Sequence, residues 1–178
     1  MTVEQPALTA LTPRAAEIVT AARTLLEEEG REALTMRVLA DRIGIRAPSL
    51  YKHFPDKEGV EVALIERGLA EMGAALRASL GEPEPVPALL RAYRERARAG
   101  PNLYRLSTAG PLPRHRLAPG LEDWAGEPFF LAAGEAYLAQ ALFAFAHGMV
   151  IMEIDGRFPP GSDLDRTWSE GASAFAGG

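Results

Sequence analysis

The chain contains no cysteine, which excludes a disulfide framework, a cysteine-ligated zinc site and a thiol nucleophile, and suits a reducing cytosol. Histidine is nearly as scarce. His53, His115 and His147 lie far apart, without the close spacing of a histidine metal cluster, and no metal or other cofactor is expected. Lysine occurs only at Lys52 and Lys57, against 17 arginines. No GxSxG, HExxH, P-loop or dinucleotide-binding glycine pattern occurs, so no residue has an evident catalytic role and an enzyme is not expected. The start, MTVEQPALTALTPRAAE, lacks the charged end and apolar core of a signal peptide, which predicts a cytoplasmic protein. Residues 1–11 have little to hold them and no basic residue to reach for DNA; disorder is expected there, with order from about residue 12.

What is present is enough for a core: 178 residues, 47% of them hydrophobic, in one domain or two small ones. The net charge of -5 gives no sign of a nucleic-acid partner, but the charge is uneven. From Arg31 to Lys57 six basic residues (Arg31, Arg37, Arg42, Arg46, Lys52, Lys57) face three acidic ones (Glu32, Asp41, Asp56), whereas residues 61–178 carry 11 basic and 15 acidic. A locally basic head on an acidic body favours one pose on DNA.

That head has the spacing of a helix-turn-helix. Thr12 as N-cap and Pro13 at the first helical position open a helix with an apolar stripe at Ala15, Val19, Ala22 and Leu26, closed by Gly30. In TMRVLADRIGIRAPSLYKHFPDKEGV, from Thr35 to Val60, Thr35 can cap a second helix whose inner face is Val38, Leu39 and Ala40. Gly44 suits the turn and Ile45 drops into the core. A third helix begins near Arg46, tolerates Pro48 in its first turn, holds Leu50 and Phe54 inward, and leaves Ser49, Lys52 and His53 outside. Tyr51 can reach a phosphate or pack on the preceding helix. The same pattern also fits a helix-turn-helix that binds protein without specific DNA recognition.

The stretch GIRAPSLYKHFPDKEGV resembles the signature of the TetR family of bacterial one-component transcription regulators, and the likeness extends to the helix before it. The resemblance implies an all-α protein: a three-helix DNA-binding domain over 1–55, then a larger helical ligand-binding and dimerisation domain over 56–178. It implies that Arg46, Ala47, Pro48 and Ser49 approach base edges, that Tyr51, Lys52 and His53 contact phosphates or bases, and that Thr35 and Lys57 clamp the backbone at the edges. Double-stranded operator DNA, a small-molecule effector and a second copy of the chain are the implied partners; no membrane is. The function implied is a repressor released by a small apolar or amphipathic molecule.

Asp56 can cap a long fourth helix to about Leu80, with Val60, Leu64, Leu69, Met72 and Leu76 inward. Gly68 and Gly73 inside it mark close packing, a bend, or composition alone. GEPEPVP breaks the chain before a helix carrying Leu89, Leu90, Tyr93 and Ala97, and a short helix follows Pro101 with Leu103, Tyr104 and Leu106. Residues 107–122 read as a loop with at most a turn of helix.

Residues 127–154 read as one helix, opened by Pro128 and stopped at Gly156, apolar all round and uncharged between Glu135 and Glu153. The 17-residue run includes Gln140 and His147 and is shorter than a bilayer span requires, so a central helix covered by its own domain and by a partner subunit is expected. A last helix, Asp163 to Ala176, sets Leu164, Trp168 and Phe175 on a face that also calls for a partner. FAFAHGMVIMEIDGRF is similar to a TetR subclass with a Trp before a His-Gly pair; His147 and Gly148 match and Phe143 stands in the Trp position. In the family the last two helices form a four-helix dimer bundle, and the ligand cavity lies among the fourth to eighth. Tyr93, Tyr104, Tyr137, Phe143 and His147 are the expected ligand-binding residues, with core packing as their alternative role.

Overall fold

A computed structural model describes residues 4–176. In chain order they form α1 (Pro13–Glu29), α2 (Met36–Arg42), α3 (Ala47–Leu50), α4 (Lys57–Ser79), α5 (Pro85–Ala99), α6 (Pro101–Thr108), a 3-10 turn (Arg114–Arg116), α7 (Leu121–Ala133), α8 (Ala136–Ile154) and α9 (Leu164–Ala176). The fold is all-helical, with no strand among the described residues. Packing divides the chain into two units, one comprising residues up to Ala70 with Gly100–Glu122, the other Glu71–Ala99 with Asp123 onward. The unit that holds the helix-turn-helix thus extends past residue 55, to include Lys57–Ala70 and α6.

In the first unit, Thr12 caps α1 through its side-chain oxygen, and Ile18, Leu25 and Leu26 join Ala15, Val19 and Ala22 in a buried face. These pack with Leu39, Leu50, Phe54, Val60 and Leu64 in one apolar core. A carboxylate finishes α6, because Gly100 has no side chain to cap it. Glu27 of α1 accepts from the Asn102 and Leu103 amides, at 3.1 and 2.8 Å, and the Asn102 amide group donates back to the Leu26 and Glu27 carbonyls. The expected disorder of residues 1–11 does not hold for 4–11. Thr9 donates twice to the buried Glu66, and Leu11 packs on the core; residues 1–3 lie outside the described residues. The sequence reading missed Glu66 as an acceptor for this segment.

Gly68 and Gly73 are explained by close packing. A Cβ on Gly68 would stand 2.9 Å from the Ser107 hydroxyl, and one on Gly73 2.5 Å from the Trp124 ring and 2.9 Å from the Ala125 backbone.

In the second unit the expected single helix over 127–154 is two. Pro128 lies inside α7, and the chain breaks at Gly134, whose φ of +74° few residues but glycine adopt. Glu135 restarts it, its carboxylate accepting from the Tyr137 and Leu138 amides at 3.0 and 2.8 Å. Pro128 leaves the Trp124 carbonyl without its i+4 amide donor, and the Arg77 guanidinium supplies one at 2.7 Å.

α8 buries Ala139, Leu142, Ala146, Met149 and Val150. Its other face stays exposed at Tyr137, Ala141, Phe143 and Ala144. By length and composition alone this helix could cross a bilayer; in the structure it packs against α5 and α9. Trp168 does not need a partner subunit for cover, contrary to expectation. It is buried within its own chain, edge-on to Phe145, under Arg94, with its indole N–H donating to Glu153 at 3.0 Å. Arg94 forks onto Glu153 and reaches Asp165, tying α5, α8 and α9 together.

Candidate nucleic-acid interface

Local chemistry sets the angle between α2 and α3. The Thr35 hydroxyl accepts from the Val38 amide at 3.2 Å and starts α2. Gly44, at φ +66°, ends it, and the Ile45 amide donates to Ala40 at 3.0 Å, folding the turn back on the helix. α3 is short. Pro48 sits in its first turn, and the amides of His53 and Phe54 both donate to the Leu50 carbonyl, carrying the turn on to Phe54. Leu50 and Phe54 face the core, so Arg46, Pro48, Tyr51, Lys52 and His53 are exposed, with Tyr51 half exposed at 50%. Ala47 and Ser49 are half-buried, and Ala47 packs on the core.

The charges around this surface fall into two groups. Arg31 forks onto Glu61 at 2.9 and 2.8 Å, Lys57 donates to the Arg31 carbonyl at 2.9 Å and lies 3.5 Å from Glu61, and Arg42 pairs with Glu28. Arg37, Arg46 and Lys52 are exposed, and none has a carboxylate within ion-pair reach among the described residues. The three cations without a carboxylate lie on α2, at the start of α3 and just beyond it. Arg37 was counted in the basic head but not among the expected DNA contacts, although its place one residue after the buried Met36 at the start of α2 put it outward. Lys57, expected to clamp the DNA backbone at the edge, is engaged in the free chain by the Arg31 carbonyl and Glu61.

Burial of Glu61 would raise its carboxyl, but the hydrogen bonds and charge of Arg31, with Lys57 adding to them, hold it below the ordinary value. Arg31 is raised in turn, chiefly by its bond to Glu61. This pair ties Arg31, between α1 and α2, to the first turns of α4. Asp56 caps the start of α4, accepting from the Gly59 amide at 2.7 Å.

The five expected ligand-binding residues are divided between the two units. Tyr104 is buried in the first unit, and Tyr137 is 79% exposed at the start of α8. Tyr93, Phe143 and His147 do come together, with Phe129, which the sequence reading missed. Tyr93 and Phe143 are edge-on at 6.4 Å, Phe129 is edge-on to both, and His147 stacks on Phe143 at 6.1 Å. Burial lowers the His147 imidazole below its ordinary value and favours the neutral ring. Among the described residues no cluster of metal-ligating side chains forms.

A short outward helix set by a glycine turn against a capped partner helix, with unpaired cations around it, defines a helix-turn-helix protein. Residues 18–64 match the family model of bacterial regulatory proteins, tetR family. An uncharacterized HTH-type transcriptional regulator of Mycobacterium tuberculosis is 31% identical over 160 residues, 78% of this chain and 69% of that protein. The class A tetracycline repressor protein from transposon 1721 of Escherichia coli is 46% identical over 54 residues, 30% of this chain; the matched stretch spans 25% of the repressor's length. The solved structure of a Rhodococcus sp. RHA1 protein of unknown function has the same fold, with a TM-score of 0.79 at 23% identity over 97% of each chain. The chain belongs to the TetR family of transcription regulators, and its architecture is that of the family: a helix-turn-helix followed by a larger helical part.

Proposed function

We propose that the chain is a cytoplasmic repressor that binds operator DNA as a homodimer and is released by a small apolar or amphipathic molecule. The observation that carries the DNA reading is the set of exposed cations without carboxylate partners, Arg37, Arg46 and Lys52, beside neighbours that are neutralised. Phosphates are the counterions such a surface lacks. In this reading Arg46, Ala47, Pro48 and Ser49 approach base edges, Tyr51, Lys52 and His53 meet phosphates or bases, and Thr35 and Lys57 border the contact. Two copies would present α3 to successive major grooves, about 34–36 Å apart.

The effector reading is supported by the aromatic group of Tyr93, Phe129, Phe143 and His147, whose faces and neutral imidazole suit an apolar ligand with a few polar atoms. The exposed apolar side chains Phe130, Leu131, Tyr137 and Met152 support the homodimer, since a second copy would cover them.

Fluorescence anisotropy with the DNA flanking the gene, at two salt concentrations and against a scrambled duplex, tests the core of this reading. Tight and selective binding is expected. Equal binding to both duplexes that vanishes with salt would leave phosphate attraction alone and point to a protein-binding helix-turn-helix.

A further inference from the structure

Glu66 is a carboxylate only 2% exposed with no cation in ion-pair reach among the described residues: its hydrogen-bond donors there are the Thr9 amide at 3.2 Å, the Thr9 hydroxyl at 2.8 Å and the Ala118 amide at 2.6 Å. A buried acceptor satisfied by neutral donors stays satisfied only when those donors are held in place, because each one lost leaves a buried polar group unpaired. The donors come from two segments that lie outside the α-helices. One is the stretch before α1; the other is the connection between α6 and α7. The two also approach each other, since a Cβ added at Gly120 would stand 3.9 Å from Pro6.

The connection leads back to the reading head. Leu112 and Leu117 pack on the core that Ile45, Ala47, Leu50 and Phe54 share, and Leu11 packs on the same core from the N-terminal side. Arg116 lies 2.7 Å from Glu58 and 3.9 Å from Asp56, the cap of α4, while Arg114 and Glu122 brace the loop with two bonds of 2.6 Å. The same loop is therefore tied to α4 at its first turn through Arg116 and near residue 66 through Ala118.

We infer that residues 4–11 are an intramolecular strap that, through Glu66, pins the α6–α7 connection to α4 and so sets how rigidly the helix-turn-helix is held. The N-terminal segment then acts on DNA binding from behind, without touching DNA. The operator half of this inference rests on the regulator reading; the strap does not.

Thr9→Val keeps the shape and the amide but removes the hydroxyl donor, and Thr9→Ser restores it. The experiment is hydrogen exchange of the free proteins together with operator titration of the same variants. Thr9→Val should speed exchange at the Ala118 amide and across 109–120, and weaken selective operator binding roughly two- to thirty-fold, the range over which residues remote from a ligand modulate coupling. Thr9→Ser should match the parent in both, and an unchanged thermal midpoint would exclude general unfolding as the cause. Unchanged exchange in 109–120 would overturn the strap. Faster exchange with parental operator affinity would overturn its link to the reading head. If the parent chain shows no selective DNA binding, the regulator reading and the link both fall, and exchange decides the strap alone.

Discussion

Arg77 donates to the Trp124 carbonyl, the one acceptor in α7 that Pro128 deprives of its helical amide, and its guanidinium lies over the Trp124 ring, 4.7 Å from the centroid. Glu127 holds the same nitrogen at 2.6 Å. A side chain from α4 thereby repairs a helix that its own sequence interrupts. Arg77→Met should destabilise the fold by about 1–3 kcal/mol, the cost of a buried polar group left unpaired. Pro128→Ala restores the missing N–H, so in that background the same substitution should cost less. Chemical denaturation of the four proteins of the cycle measures this; equal costs in both backgrounds would dismiss the repair.

Glu61 gives the chain an acid-sensitive joint. Its folded carboxyl titrates below the unfolded value of about 4.3, so the Arg31 pair stabilises the protein fully above that value and loses its contribution as pH falls through the folded one. Glu61→Gln should lower stability at neutral pH by roughly 1–3 kcal/mol, as for a hydrogen bond to a charged group. It should also flatten the fall in thermal midpoint between about pH 5 and pH 3. An undiminished fall in the variant would assign the acid sensitivity elsewhere, with Glu153, held low by Arg94 and Trp168 against its burial, next in line.

Much of the reading head was legible because local chemistry decides it. Thr12, Pro13 and Gly30 bound α1, Gly44 makes the turn, Asp56 caps α4, and Leu50 and Phe54 face inward, each for a reason contained within a few residues. What was missed depends on distant groups. Pro128 read as a helix start because nothing nearby shows that Arg77 will satisfy Trp124, and Glu135 is not among the residue types that commonly cap a helix. Thr9 looked untethered because its acceptor is 57 residues away. Trp168 looked exposed on α9 because its cover comes from Arg94 and Phe145. At the candidate interface the spacing marked a basic stretch, but which cations are free depends on carboxylates of α1 and α4.

The division of cations gives a salt test. Removing a phosphate contact lowers the slope of log affinity against log salt by about 1 and weakens binding to all sequences alike. Arg37→Ala and Lys52→Ala should do so in operator titrations across salt, whereas Arg42→Ala should leave the slope unchanged because Arg42 is engaged with Glu28 at 2.5 Å. A slope change for Arg42 equal to that for Lys52 would mean that pairing in the free protein does not select the DNA contacts.

The exposed side of α8 bears on assembly in the same way. Ala141, Ala144 and Tyr137 are exposed, and a Cβ on Gly148 would meet nothing within 4 Å in the same chain. Within one subunit Gly148→Ala should then be neutral or stabilising by up to about 1 kcal/mol, since Ala is the better helix former. Ala144→Arg should likewise leave the subunit folded, because the site is open to water. If a second copy covers this face, Ala144→Arg places an unpaired charge in an apolar contact and should convert the dimer to monomer at micromolar concentration. Light scattering of parent and variant, with circular dichroism to establish retained helix, separates the cases. A parent that is already monomeric, or a variant that stays dimeric, would remove α8 from the interface and leave its apolar face to another partner.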